Sequence, residues 1–138
     1  MEISHIATFD ASLPDDSVEE EGTIVKPNGT VLGEIIAAEL RENGWSISVV
    51  EQRGDTGWSF WGKHKGVKFW CLLGYTDPWV MIVVDRRFFL RRWIGGSSAF
   101  MTVLHDIDLV MQKVEDISNL VWLSEFEYEA AREDFEAN

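Results

Sequence analysis

Four apolar segments lie close together between residues 45 and 85, and their spacing is the strongest constraint on the fold. We predict strands at residues 45–51, 57–62, 67–74 and 79–85. The short links between them contain Gly, Asp, Lys and Pro, which are typical of turns. Each link is too short for the crossover that parallel neighbours need, so an antiparallel meander is the simplest connection.

Helical and extended segments flank these four strands. Before them we predict a strand near residues 3–9 and a helix that runs to about residue 43, with residues 27–30 at its start supplying the cap. After them we predict a helix from residue 97 or 98 to 114 and a strand near 119–123. Ser124 followed by Glu127 predicts a capping box for a short last helix. The predicted fold class is α+β: one domain over residues 1–138, with an antiparallel sheet of four to six strands and two main helices packed on it.

Charge is distributed unevenly along the chain. The formal net charge is −12, with −9 in residues 1–52, +5 in residues 53–93 and −8 in residues 94–138. Such a balance repels a polyanion, so we expect no nucleic-acid partner. The longest apolar run, residues 79–84, is too short to cross a bilayer, and the start lacks the pattern of a secretory signal. We therefore expect a cytoplasmic protein without stable membrane association.

Catalytic and metal-binding chemistry has little basis in the sequence. The only cysteine, Cys71, falls in the middle of a strand, and the histidines at 5, 64 and 105 lie on a strand, a turn and a helix. No nucleophile pair, thiolate metal site or phosphate-binding glycine motif can be built from these residues. We therefore expect that the protein is not an enzyme and that it binds no cofactor and no metal.

The sheet is predicted to have two apolar faces. If Gly62 pairs with Val67 and Gly74 with Trp79, the second face carries Ser59, Trp61, Lys68, Trp70, Leu72, Trp79, Met81 and Val83. An antiparallel sheet with one solvated face would alternate apolar and polar residues. The second face must therefore be covered by other parts of this chain, by a second copy or by a different protein.

Two segments outside the regular elements also bear on binding. Residues 10–29 are predicted to form an acidic surface loop, and residues 86–96 a basic and aromatic connector. The connector either joins the core or, if exposed, anchors an interface. Together with the second face it gives the candidate partner-binding residues Trp61, Lys68, Trp70, Met81, Arg91, Arg92 and Trp93.

Three features of the chain are shared with a known type of protein: the acidic run at residues 15–22, the amphipathic helix that ends before Trp45, and the sequence Gly-Trp-Ser-Phe at residues 57–60. The chain resembles small acidic uncharacterised bacterial α+β proteins, some of which look like immunity proteins of toxin systems. Type III secretion chaperones are also small, acidic α+β proteins, but they have a different order of elements. We predict a non-enzymatic protein-binding module of the immunity, inhibitor or chaperone type, whose partner is another protein, with a basic protein as one alternative, or a second copy of the chain. The alternative is a small-ligand-binding protein or enzyme with a Trp-lined pocket.

Overall fold

The computed structural model describes residues 5–75, 78–86, 98–124 and 127–130. Its strands are β1 (Ile6–Ala11), β2 (Val18–Glu20), β3 (Thr23–Lys26), β4 (Ser46–Ile47), β5 (Glu51–Arg53), β6 (Gly57–His64), β7 (Val67–Tyr75), β8 (Trp79–Asp85) and β9 (Ile117–Leu123). The helices are α1 (Thr30–Glu42) and α2 (Ser98–Gln112), and residues 127–130 form a further helical turn. The predicted mixture of helices with an antiparallel sheet is confirmed.

The sheet has more strands than the sequence predicts. Seven strands form it, in the order β4-β6-β7-β8-β1-β9, with β5 also paired to β6, while β2 and β3 form a separate hairpin inside the predicted loop at 10–29. The expected four to six strands are therefore too few, because the predicted strand at 45–51 is divided into β4 and β5. The sheet is also not a simple meander, because β1 inserts between β8 and β9. Ile6 and Ala7 are both buried although they point to opposite faces, which suits a central strand.

The pairing register corrects the predicted faces. His64 pairs with Val67 across a two-residue turn at Lys65 and Gly66, both of which have positive φ. This register differs from the predicted one by two residues, so the faces of β6 and β7 are unchanged.

The register between β7 and β8 differs from the prediction by one residue. Tyr75, not Gly74, pairs with Trp79. Because side chains alternate with a period of two, this shift exchanges the two faces of β8. The second face of the sheet therefore receives Val80, Ile82 and Val84, while the face that the helices cover receives Trp79, Met81 and Val83.

Both helices pack on that one face, which we call the helix face. α1 buries Leu32, Ile36 and Leu40, and α2 buries Val103, Leu104, Ile107 and Met111. These residues join one cluster with sheet residues such as Phe9, Phe69 and Leu73. The buried residues recur every three or four positions along each helix, which is the spacing of a single helical face.

The start of α1 is capped from a distance by the acidic segment. The Asp16 carboxylate accepts hydrogen bonds from the backbone N–H of Gly29 and of Val31, both at 2.8 Å. The Asn28 side-chain oxygen accepts from the backbone N–H of Asp16 at 3.1 Å. The prediction that residues 27–30 supply the cap is therefore wrong for the main hydrogen-bond acceptor, which is the Asp16 carboxylate. A carboxylate at this position satisfies free N–H groups and complements the helix dipole.

The last predicted cap is present. Ser124 Oγ accepts from the Glu127 N–H at 3.1 Å, and Glu127 Oε1 accepts from the Ser124 N–H at 3.0 Å. Within the described parts of the chain, no helix has the length and apolar character needed to cross a membrane.

Candidate functional site

A cavity of about 430 Å³ lies on the second face of the sheet, at the end nearest the β6–β7 turn. Side chains at alternate positions of β6 and β7 line this cavity, and β4 lies at its outer edge. Its charged and polar lining consists of Ser46, Ser48, Trp61, Lys63, Lys68 and Arg86. We refer to these six residues as the basic pocket.

The cations of the basic pocket have no acidic partner within the part of the chain that the structure describes. Lys63 and Lys68 stand directly opposite each other on β6 and β7, so their side chains lie on the same face. Arg86 follows β8 and lines the same cavity. In residues 5–75, 78–86, 98–124 and 127–130, none of these three side chains forms an ion pair. Like charges directly opposite each other destabilise a sheet, so folding alone does not explain this arrangement.

Trp61 forms the aromatic wall of the basic pocket. Its side chain is 46% exposed, a large fraction for tryptophan in a sheet of this size. Its backbone N–H donates to Ser48 Oγ at 2.8 Å, which ties β6 to the segment after β4, and its ring lies 6.2 Å from that of Trp70. The indole therefore packs against Trp70 and leaves part of its surface free to contact a ligand.

Trp70 extends the aromatic surface away from the pocket. The Arg53 guanidinium lies 4.9 Å from the Trp70 ring centroid, a cation–π distance. Leu72, Ile82 and Val84, on the same face, are each partly exposed. The basic pocket is thus continuous with a partly exposed apolar strip.

The structure brings together only part of the predicted site. Trp61 and Lys68 line the pocket, and Trp70 is their neighbour. Met81 does not belong with them: it is 1% exposed on the helix face, because of the register between β7 and β8. Arg91, Arg92 and Trp93 lie outside the described residues, as does nearly all of the predicted connector at 86–96.

Sequence reasoning missed Lys63 and Arg86. Lys63 was missed because β6 was predicted to end at Gly62, whereas it continues to His64. Lys63 lies two residues after Trp61, and residues two apart on a strand point to the same face, so the position of Trp61 could have identified Lys63. Arg86 was assigned to the connector, and its position beside Lys68 depends on the register of β8.

The helix face carries a second polar cluster at the same end of the β6–β7 hairpin. Asp106 on α2 accepts from His64 Nε2 at 2.9 Å and from Lys65 Nζ at 3.1 Å. The His64 ring stacks on Trp45, with centroids 3.7 Å apart and planes 3° from parallel. Partial burial opposes the ionisation of Asp106, but the hydrogen bonds and positive charges of His64 and Lys65 outweigh it and lower its pKa. Every charge in this cluster has a partner.

Among the described residues, Cys71, His105 and Asp108 lie in environments of different kinds. Cys71 is buried, and desolvation raises its pKa far above the ordinary range, so the thiol stays protonated. His105 is exposed, while Asp108 accepts from Trp122 Nε1 at 2.9 Å. No group of three or more metal-ligating side chains occurs in the described part of the chain.

Comparisons with protein-family models, curated proteins and solved structures find no match for this chain. Its function therefore has to be argued from its own residues, and the basic pocket is the arrangement that folding explains least.

Proposed function

We propose that the chain is a non-enzymatic protein-binding module of a bacterial cytoplasm, of the inhibitor or chaperone type, with the second face of the sheet as its docking surface. One observation carries the proposal: a half-exposed Trp61 stands beside three cations that have no acidic partner among the described residues. Tryptophan and arginine are the side chains that most often anchor protein interfaces. The resemblance to small acidic uncharacterised bacterial α+β proteins, some of which look like immunity proteins, is consistent with the same function.

The shape of the second face also supports docking of a protein. The pocket opens onto the partly exposed strip of Trp70, Leu72, Ile82 and Val84. An interface with a tight anchor point and an apolar neighbourhood is typical of specific protein contacts. The acidic regions at residues 1–52 and 94–138 would add long-range steering of a partner that is basic outside the segment that enters the pocket.

The test is to identify the partner and then to measure its affinity for matched variants. Affinity capture from the source organism with mass spectrometry would name candidates, and calorimetry with the purified partner would follow. We expect Trp61→Ser to weaken binding by at least about tenfold. The control is Leu109→Ser, because Leu109 is 58% exposed on α2, away from the second face.

The two variants separate the possible results. Binding that is lost equally in Trp61→Ser and Leu109→Ser, or in neither, would contradict docking on the second face. Light scattering tests whether the partner is a second copy: a dimer that Trp61→Ser converts to a monomer would identify self-association as the function of this face.

A small-ligand function is the second candidate, because a volume of about 430 Å³ lies within the usual range for ligand pockets. Native mass spectrometry after incubation with a metabolite extract would test it. A one-to-one complex that Trp61→Ser abolishes and Leu109→Ser preserves would favour it over protein binding.

A further inference from the structure

We infer that the basic pocket recognises an acidic and aromatic peptide segment, in which carboxylates lie next to an aromatic side chain. This inference rests on the proposed protein-binding function and names the chemistry of the partner. It depends on three features of the pocket: the sign of its charge, the position of its cations and the exposed indole beside them.

The sign of the charge is opposite to that of the chain. On strands β5 to β7, the second face carries the cations Arg53, Lys63 and Lys68 and a single acid, Glu51, and Arg86 adds a further positive charge at the pocket. The whole chain has a net charge of −12. A cationic patch on an acidic protein attracts a short anionic segment, whereas a long polyanion would meet the acidic regions around it.

The position of the cations indicates that the anion is multivalent. Lys63 and Lys68 are held opposite each other, and Arg86 lines the same cavity. A bound carboxylate can accept from more than one of these donors, and a second carboxylate can be held by the remaining cation. Binding would thereby relieve the repulsion between Lys63 and Lys68 that the free protein carries.

The indole supplies the apolar part of the recognition. The Trp61 ring packs beside the Trp70 ring and its strand is bonded to Ser48 through the backbone, so contact with its exposed surface costs less conformational entropy than contact with a free side chain. An aromatic side chain of the partner can stack on it while neighbouring carboxylates reach the lysines. A purely acidic segment would leave this surface uncovered, and a purely apolar one would bury the cations without partners.

Three synthetic pentapeptides with blocked ends test the inference: Gly-Glu-Phe-Glu-Gly, its glutamine analogue Gly-Gln-Phe-Gln-Gly, and Gly-Glu-Ser-Glu-Gly. Calorimetry at low ionic strength gives their affinities for the full chain. We expect the first peptide to bind with a Kd below about 1 mM and each analogue to bind at least about tenfold more weakly. The affinity of the first peptide should fall with added salt.

Charge reversal in the pocket locates the binding. Lys68→Glu and Lys63→Glu should each weaken the first peptide by at least about tenfold, whereas Lys113→Glu should leave it within about twofold. Lys113 is a matched control, since it is exposed at the end of α2 and its Nζ donates to the Asn43 side chain. Circular dichroism confirms that each variant is folded before binding is measured.

The outcomes distinguish this inference from the function on which it rests. Two results would overturn the acidic specificity and leave protein docking standing. The first is that the glutamine peptide binds as well as the glutamate peptide. The second is that a captured protein partner binds Lys68→Glu and wild type equally but loses affinity with Trp61→Ser. If a DNA oligonucleotide or anionic vesicles bind more tightly than the peptide through the same lysines, the peptide inference is also overturned. Failure of the partner to discriminate Trp61→Ser from Leu109→Ser overturns both.

Discussion

The charged side chains on the two sides of the sheet differ in whether they have partners. On the helix side, the Asp106 carboxylate is shared by His64 and Lys65, and the Asp16 carboxylate accepts backbone N–H groups at the start of α1. On the second face, the pocket cations lack an acid among the described residues. Both sets lie in a chain with twice as many acids as bases, so a shortage of carboxylates does not explain the difference. The helix-side charges support folding, and the pocket charges are available for binding.

The largest expected contrast is between two aromatic residues of the same hairpin. Phe69 is fully buried on the helix face, and Trp61 is half-exposed on the other. We expect Phe69→Ala to lower the free energy of unfolding by about 3–5 kcal/mol, because it leaves a cavity in the core. Trp61→Ser should cost less, about 1–2 kcal/mol, because about half of its surface is already exposed and the main loss is its contact with Trp70. Urea denaturation measures both, and a comparable loss for Trp61→Ser would place it in the core.

The next effect concerns the distant cap of α1. We expect Asp16→Ala to cost about 1–2 kcal/mol, because the N–H groups of Gly29 and Val31 lose their acceptor. Asp15→Ala is the neighbouring control: among the described residues the Asp15 carboxylate accepts hydrogen bonds from Ser17, within the loop itself, and not from α1. The urea midpoint of Asp15→Ala should stay close to that of the wild type. Equal losses in the two variants would show that the loop contributes general charge rather than a cap.

A smaller, pH-dependent effect is expected at Asp106. Its pKa is lowered in the folded protein by His64 and Lys65 against the opposing effect of burial. Since the folded pKa lies below the unfolded value of about 3.9, the stabilisation is complete above that pH and disappears as the pH falls through the folded pKa. Asp106→Asn should therefore cost about 1 kcal/mol near neutral pH and progressively less in acid. A difference from the wild type that stays constant down to pH 2 would assign the loss to packing instead.

The contrast between the two sides was only partly predictable from the sequence. Helical periodicity identified the core stripes of α1 and α2, and strand parity placed Trp61, Lys68 and Trp70 on one face. The position of Met81 could not be predicted in the same way, because a one-residue difference in the β7–β8 connection exchanges the faces of β8.

Contacts between residues far apart in the chain were hidden for a different reason. Asp16 caps a helix that begins fourteen residues later, and Asp106 lies 42 residues from His64. No local pattern encodes these pairs, since they form only when the tertiary fold brings the elements together. The same holds for β1, whose place between β8 and β9 depends on partners at the other end of the chain.

The smallest expected effect has the opposite sign, and it gives the most direct test of the difference between the two sides. Lys68→Glu replaces a like-charge pair by an opposite-charge pair across from Lys63, so it should stabilise the fold by about 0.2–1 kcal/mol. Lys65→Glu, at the same hairpin end, should destabilise it, because Lys65 pairs with Asp106. Thermal denaturation at low salt measures both changes, and the two shifts should shrink together as salt is added. Destabilisation by Lys68→Glu would mean that its charge supports folding after all. Stabilisation together with weaker partner binding is the combination expected where a protein retains charges for binding at a cost to its own stability.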